Sequence, residues 1–310
     1  MRVGIIGAGI AGLACAQGLS RRGHEVVLYD KGRGPGGRMS TRRFDTPAGE
    51  ARFDHGAQYF TVRDDGFRAQ VSSWTAGGVV ARWPAAGSDA YVGVPAMNSP
   101  VRELADHHVV HWSTRVAGLA RRGDGWRFGL EDGGVDDVDV AVVAIPAEQA
   151  ADLLADTAAD LAARAGAAVS EPCWAVMAAF SHAVGVAPDC WRGEATIGWA
   201  ARNSAKPGRT GPESWVVQAT PEWSRRYLEA DRDSVTTDLL AALSSLLGVT
   251  LPDRLGTAAH LWRFARCAPE GGGVIYDPDR RLGLCGDWLI GPRVESAWLS
   301  GAKLADMIGT

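Results

Sequence analysis

Apolar positions change their period twice within the first thirty residues. Residues 2–7 are a short, mostly apolar run that reads as a buried strand. Helical spacing then runs from the turn Gly7-Ala8-Gly9-Ile10-Ala11-Gly12 to about Arg22, and Gly23 ends it. A second run, Glu25-Val26-Val27-Leu28-Tyr29, closes at Asp30. Strand, helix and strand in that order predict a βαβ unit. A Gly/Pro-rich loop follows from Gly32 to Gly37.

Strand character returns between His108 and Pro146. Residues 109–112 are short and apolar. Residues 116–120, 126–130 and 134–138 predict an antiparallel meander with turns at Asp124-Gly125 and Asp132-Gly133. Residues 140–145 form a continuous apolar run of the kind found in a buried parallel strand. A helix is expected over 148–163. Beyond it, 174–180, 196–200 and 214–219 read as strands and 234–247 as an amphipathic helix. Tryptophan is dense in this stretch (Trp174, Trp191, Trp199, Trp215, Trp223, Trp262), which suggests a second, mixed domain that walls a pocket. The pattern then returns to the first type: a strand over 282–285, a turn at Gly286-Asp287-Trp288, and a helix over 294–307. The prediction is an α/β fold. A dinucleotide domain takes 1–70, 96–165 and 275–310, with a discontinuous mixed α+β substrate domain over 71–95 and 166–274.

Composition narrows the class without changing the fold. The chain has 310 residues, more than one compact core usually holds. Its net charge of −4 gives no reason to expect nucleic acid. Lys31, Lys206 and Lys303 are its only lysines. Cys15, Cys173, Cys190, Cys267 and Cys285 are scattered, without metal spacing, and read as reduced thiols. Glycines interrupt the N-terminal apolar run, so no signal peptide is expected. No stretch reaches the ~18 apolar residues of a membrane span. A cytoplasmic protein is the expectation.

Candidate chemistry begins at the glycine turn. Gly7 permits the tight turn, Gly9 lets backbone approach a pyrophosphate, and Gly12 lets helix and strand pack closely. The helix N-terminus then presents free N–H groups to the phosphates, with Ala11 in its first turn. Asp30 stands where a carboxylate would accept from an adenosine ribose; it also fits an ordinary surface carboxylate.

Gly36-Gly37-Arg38 resembles the flavoprotein group that includes amine oxidases and phytoene desaturases. The resemblance implies FAD, with the loop wrapped around its pyrophosphate and Arg38 either pairing with that group or supporting the loop. Gly286-Asp287, Gly291, Val294-Glu295-Ser296-Ala297 and Ser300-Gly301 resemble the second FAD motif of that group. There Asp287 would bind a ribityl hydroxyl, and the following helix would point its N-terminus at the flavin. Glu295 reads as a partly exposed helix-terminal charge. Lys31, Met39, His55, Gly56, Ala57, Gln58, Val116, Pro146 and Arg293 complete the expected cofactor-binding set. Of Arg42 and Arg43, one is expected to be exposed.

A narrower resemblance rests on His55-Gly56-Ala57-Gln58-Tyr59. Pro172-Cys173-Trp174-Ala175, Ala201-Arg202-Asn203-Ser204, Lys206-Pro207-Gly208-Arg209 and His260-Leu261-Trp262-Arg263-Phe264-Ala265 support it. Together they resemble the renalase family. That resemblance implies FAD-dependent oxidation of misreduced 2-dihydro or 6-dihydro NAD(P) to NAD(P)+, with dioxygen reduced to hydrogen peroxide and the flavin held non-covalently. Pro292 departs from the pattern, where a glycine is expected. The alternatives are an amine-oxidase or desaturase-like enzyme, or a non-catalytic FAD-binding protein.

Hydride transfer from an already reduced ring needs stacking and proximity, not a catalytic triad. Trp262, Trp288, Tyr59, Gln58, Asn203 and His260 are therefore the candidates for an aromatic wall and a grip on a carboxamide. His260 fits a core histidine equally well, and any single tryptophan fits core packing. Arg202, Lys206 and Arg209 read as a solvated loop in preference to a phosphate site.

Overall fold

The computed structural model describes residues 1–309. The βαβ unit consists of strand Arg2–Ile6, helix Ile10–Arg21 and strand Glu25–Tyr29. Its strands lie inside a six-stranded sheet ordered Ile275–Asp277, Leu282–Leu284, Val140–Val143, Arg2–Ile6, Glu25–Tyr29, Val109–His111. Every pairing is parallel except the edge pair Ile275–Asp277 with Leu282–Leu284. Alternate side chains feed opposite faces. Val3, Ile5, Leu28, Val140 and Val142 share a core with Leu13 and Leu304 of helices Ile10–Arg21 and Val294–Ile308. Ile6, Val27, Ala141 and Val143 pack instead with Trp126 and Phe128. Those two aromatics belong to the antiparallel meander Val116–Arg122, Gly125–Leu130, Val135–Val138. The two helices cross closely: a Cβ on Gly301 would lie 2.0 Å from the Ala11 carbonyl oxygen, so only glycine fits there.

A second, five-stranded sheet is antiparallel throughout, ordered Cys190–Arg192, Ile197–Arg202, Glu213–Ala219, Ser170–Phe180, Arg254–Cys267. One face packs Trp174, Val176, Phe180 and Trp215 against Val235, Leu239 and Leu243 of helix Arg232–Leu247. Trp174 and Trp215 are thus core side chains. The other face meets the hairpin Thr41–Thr46 with Gly49–Asp54, through Phe53, Met177, Ala179 and Val216. A parallel nucleotide-type sheet joined to an antiparallel one makes the α/β fold that the pattern predicts.

The helix expected over 148–163 is two helices, Ala147–Leu154 and Ala159–Gly166. Asp156 and Thr157 favour turns over helix interiors. The break lets Leu154, Ala158 and Leu161 all enter one core. Among the described residues no helix is long and apolar enough to cross a membrane.

Candidate active site

The glycine turn is braced from below. Gly7 adopts φ +105°, and a Cβ on Gly12 would lie 2.0 Å from the Gly7 carbonyl oxygen. Gly9 starts the helix with no side-chain cap, so no side chain occupies the first-turn N–H groups. Asp30 accepts hydrogen bonds from Ala8 N at 2.8 Å and Gly32 N at 2.7 Å, and so fixes the turn's shape. Each carboxylate oxygen keeps a second lone pair for a hydroxyl. Arg38 reaches across the molecule to the buried Asp287 in a two-pronged pair, at 2.9 and 2.5 Å. The motifs from the two ends of the chain therefore meet at one place.

The His55–Gln58 loop lies on this ion pair's neighbour. Ala57 N donates to the Arg38 carbonyl at 2.8 Å, and a Cβ on Gly56 would come within 2.0 Å of the same oxygen. The antiparallel sheet grips the loop from the other side. Trp262 Nε1 donates to His55 O at 2.9 Å, and Gln218 Nε2 donates to Gly56 O at 2.6 Å. Cross-strand register sets Arg192, Trp199, Gln218, Ala175 and His260 in one row across five strands, all on one face. The ends of the row differ. At one end, His55, His260 and Trp262 form an aromatic cluster with ring centroids 4.4–5.0 Å apart. At the other, Tyr59 and Trp199 lie 5.4 Å apart, and Arg192 donates to the Tyr59 hydroxyl at 2.6 Å.

Beneath the loop is a buried charge cluster. Asp54 is fully buried; it pairs with Lys206 at 3.1 Å and Arg209 at 2.6 Å, and accepts from Thr41 Oγ1 at 2.7 Å. Burial pushes the Asp54 carboxyl up, but the two cations outweigh it and hold it well below the usual carboxylate range. Burial brings the Lys206 ammonium down to about 8, with Asp54 opposing and Arg209 adding to the shift.

A family of flavin-containing amine oxidoreductases matches residues 79–308, and one of NAD(P)-binding Rossmann-like domains matches residues 5–72. The chain belongs to the flavin-containing amine oxidoreductases. It is similar over 45 residues, at 42% identity, to 4,4'-diapophytoene desaturase of Staphylococcus aureus; the match covers 14% of this chain and 9% of that one. Its fold is similar to that of a putative protoporphyrinogen oxidase from Exiguobacterium (TM-score 0.77, 12% identity, 99% and 98% of the two chains). It is also similar to that of cyclohexylamine oxidase from Brevibacterium oxydans (TM-score 0.73, 14% identity, 99% and 98%). As a flavin-containing amine oxidoreductase the protein is an oxidoreductase whose family implies FAD.

The residues of this amine oxidoreductase fit an FAD. Both flanking helices begin without a side-chain cap, at Gly9 and Arg293. Two buried polar atoms, Ser296 Oγ at the second helix and His55 Nδ1 in the loop, lack a protein partner. The structure places the other expected ligands as follows. Glu295 is not a partly exposed terminal charge: it is 2% exposed and accepts from Arg63 N at 2.6 Å and Asp64 N at 2.8 Å. Lys31 is exposed and donates to Gln149 Oε1 at 3.0 Å. Val116 and Met39 are buried, Pro146 precedes helix Ala147–Leu154, and Arg42 and Arg43 are both exposed. Pro292 sits in a tight turn, where Gly291 N donates to Asp287 O at 2.6 Å and Arg293 N to Gly291 O at 2.7 Å.

The expected carboxamide grip also changes. Asn203 is fully buried; its amide donates to Arg52 O at 2.8 Å and its oxygen accepts from Asp54 N at 3.3 Å, so it braces the hairpin. Gln58 donates to the Asp54 and Gly56 carbonyls and accepts from Lys206 at 3.2 Å. Trp288 is 2% exposed within the core shared with Trp126. Lys206 and Arg209 are not a solvated loop but the buried partners of Asp54, while Arg202 pairs with Asp189. His260, Trp262 and Tyr59 remain partly exposed. Pattern reading missed Gln218 and Arg192 and gave Trp199 no role beyond the general pocket wall, because only the sheet register brings these three together; it missed Asp54, next to His55 in sequence, because its buried cationic partners lie about 150 residues away.

Burial, with His260 and Arg42 adding to it, pushes the His55 imidazole down to about 4 from its ordinary 6.5. Between those values the unfolded chain binds the proton and the folded protein does not, so stability rises with pH across that window. The contribution is complete above about pH 6.5 and lost as pH falls toward 4. Urea midpoints at pH 7.5 and 5.0 test this: His55→Asn should narrow the gap between them. An unchanged gap would mean that His55 does not carry the effect.

Proposed function

We propose that the protein uses FAD to oxidise an anionic, hydride-donating small molecule, specifically a 2-dihydro or 6-dihydro isomer of a nicotinamide dinucleotide, with dioxygen as final acceptor. The observation that carries this reading is the charge around the aromatic ends of the row. Burial, the largest cause, lowers the proton affinity of both His55 and His260, and the positive charge of Arg42 acts on each in the same direction, with Arg232 also acting on His260. Asp54 and Asp287, the buried carboxylates nearby, are already paired with cations. A protonated amine would enter an uncompensated positive field, whereas a phosphate-bearing substrate is drawn to it. Bound FAD would take the hydride, and its two electrons with two protons convert dioxygen to hydrogen peroxide.

The protein's own contribution is placement. Gln218 and Trp262 fix the loop carbonyls, and His260 and Trp262, with their rings 71° apart, offer an aromatic corner to a pyridine ring. Productive transfer needs the donor carbon roughly 3–3.5 Å from its acceptor. Carbons 2 and 6 flank the ring nitrogen and carbon 4 lies across from it. A pose that serves either of the first two holds carbon 4 away.

A second reading, amine oxidation, is favoured by the family and by the aromatic group Tyr59, Trp83 and Trp199. The experiment that separates them is anaerobic mixing of the yellow holoprotein with 2-, 6- and 4-dihydro NADH and NADPH and with cyclohexylamine, following loss of flavin colour. We expect one or both of the 2- and 6-isomers to bleach the flavin at least about tenfold faster than 4-dihydro NADH, a misplacement penalty of modest size. Equal rates with 4-dihydro NADH would describe a general NADH oxidase. Bleaching by the amine alone would overturn the proposal in favour of the second reading.

A further inference from the structure

Resting on that reading, we infer that Arg192 is the anchor for the substrate's phosphate and sets a preference for nucleotides over nucleosides. Arg192 stands at the opposite end of the row from His260, on the short strand Cys190–Arg192. Its guanidinium lies 4.9 Å from the Trp199 ring centre and 5.8 Å from that of Tyr59, and it donates to the Tyr59 hydroxyl at 2.6 Å. It is exposed and has no carboxylate partner among the described residues, although the neighbouring Arg202 takes Asp189. An arginine laid on two aromatic faces is held flat, with its remaining N–H donors unspent. That is the presentation that suits two-pronged recognition of a phosphate.

Spacing agrees with this role. Adjacent strands lie about 4.7–4.9 Å apart, so two steps along the row separate Arg192 from Gln218 by roughly 10 Å. Gln218 holds the loop beside which the reacting ring would lie. That interval is of the order of one ribose and an arginine side chain. A pyridine ring near Gln218 and His260 would therefore place its 5'-phosphate toward Arg192. Tyr59 acts here as a positioning residue, since its hydroxyl and ring hold the guanidinium and need not touch the ligand.

The test measures equilibrium binding of nicotinamide mononucleotide and nicotinamide riboside to the oxidised holoprotein, read by perturbation of the flavin spectrum. Flavin content and melting temperature of each variant serve as controls of folding. The wild type should bind the mononucleotide at least about tenfold more tightly than the riboside, as one charge-assisted contact provides. Arg192→Met should bring that ratio near one, with the loss confined to the phosphate-bearing ligand. Arg192→Lys should restore part of it, and added salt should weaken the wild-type preference. The inference is overturned if the wild type shows no preference, if Arg192→Met keeps it, or if that variant loses both ligands equally. If the preference depends on Arg192 but no dihydronicotinamide bleaches the flavin, the anchor stands and the substrate reading fails.

Discussion

Replacing Asp54 with alanine will destabilise the folded protein by about 3–5 kcal/mol, the cost of stranding buried charge. Its carboxylate is fully buried and is the counter-charge of both Lys206 and Arg209, whose side chains are 0% and 1% exposed. Alanine would leave two cations without compensation and would take an acceptor from Thr41 Oγ1 and one of two from Met97 N. Lys206→Met is the contrasting change. It removes a charge that burial already disfavours and leaves Asp54 paired with Arg209. Urea unfolding of the two variants should therefore differ by at least about 2 kcal/mol, with the alanine variant weaker. If Asp54→Ala costs less than about 1 kcal/mol, a figure ordinary for surface pairs, the cluster is not dry.

Asp287→Ala will lower FAD affinity by about 10- to 150-fold, equivalent to a charge-assisted hydrogen bond of ~1.5–3 kcal/mol. The substitution removes the proposed ribityl contact and leaves Arg38 without the carboxylate that aims it. Glu295→Ala works differently. It strands two backbone donors, Arg63 N and Asp64 N, and so loosens the approach to the helix that Asp64 caps. Its loss should fall mainly on thermal stability, and Asp287's mainly on flavin binding. Flavin titration of the apoprotein alongside melting curves separates the two. If Glu295→Ala lost flavin as severely while melting normally, the pyrimidine end of the cofactor would lie on Glu295 instead.

The fold was legible wherever one period held long enough to be read. The βαβ unit, the meander and the strand over 140–143 follow from continuous or alternating apolar runs that end in glycine or turn pairs. Strand Arg254–Cys267 was not legible, because Arg254, Arg263 and Arg266 interrupt an edge strand that is only partly buried along most of its length. Helix Asp65–Ala76 buries only Phe67, Val71 and Trp74, too sparse a stripe to show in the pattern. At the site, motif residues such as Arg38 and Asp287 stand out by spacing. Gln218 and Arg192 do not, since neither lies in a motif and both owe their positions to strand register. Burial was the harder quantity to read. Glu295, Lys206 and Arg209 are charged residues whose partners lie far away in sequence.

The bond between Arg38 and Asp287 spans 249 residues, and the strand beside Val140–Val143 also comes from the far end of the chain. On a ribosome adding about 5–20 residues per second, Arg38 would wait roughly 10–50 s for its partner to emerge. During that wait the outer edge of Val140–Val143 offers unpaired backbone to any other extended chain. The N-terminal half is thus committed to a shape that it cannot finish alone. A ribosome stalled before residue 282 would release a sticky fragment, and chaperone capture of nascent chains should concentrate on that interval.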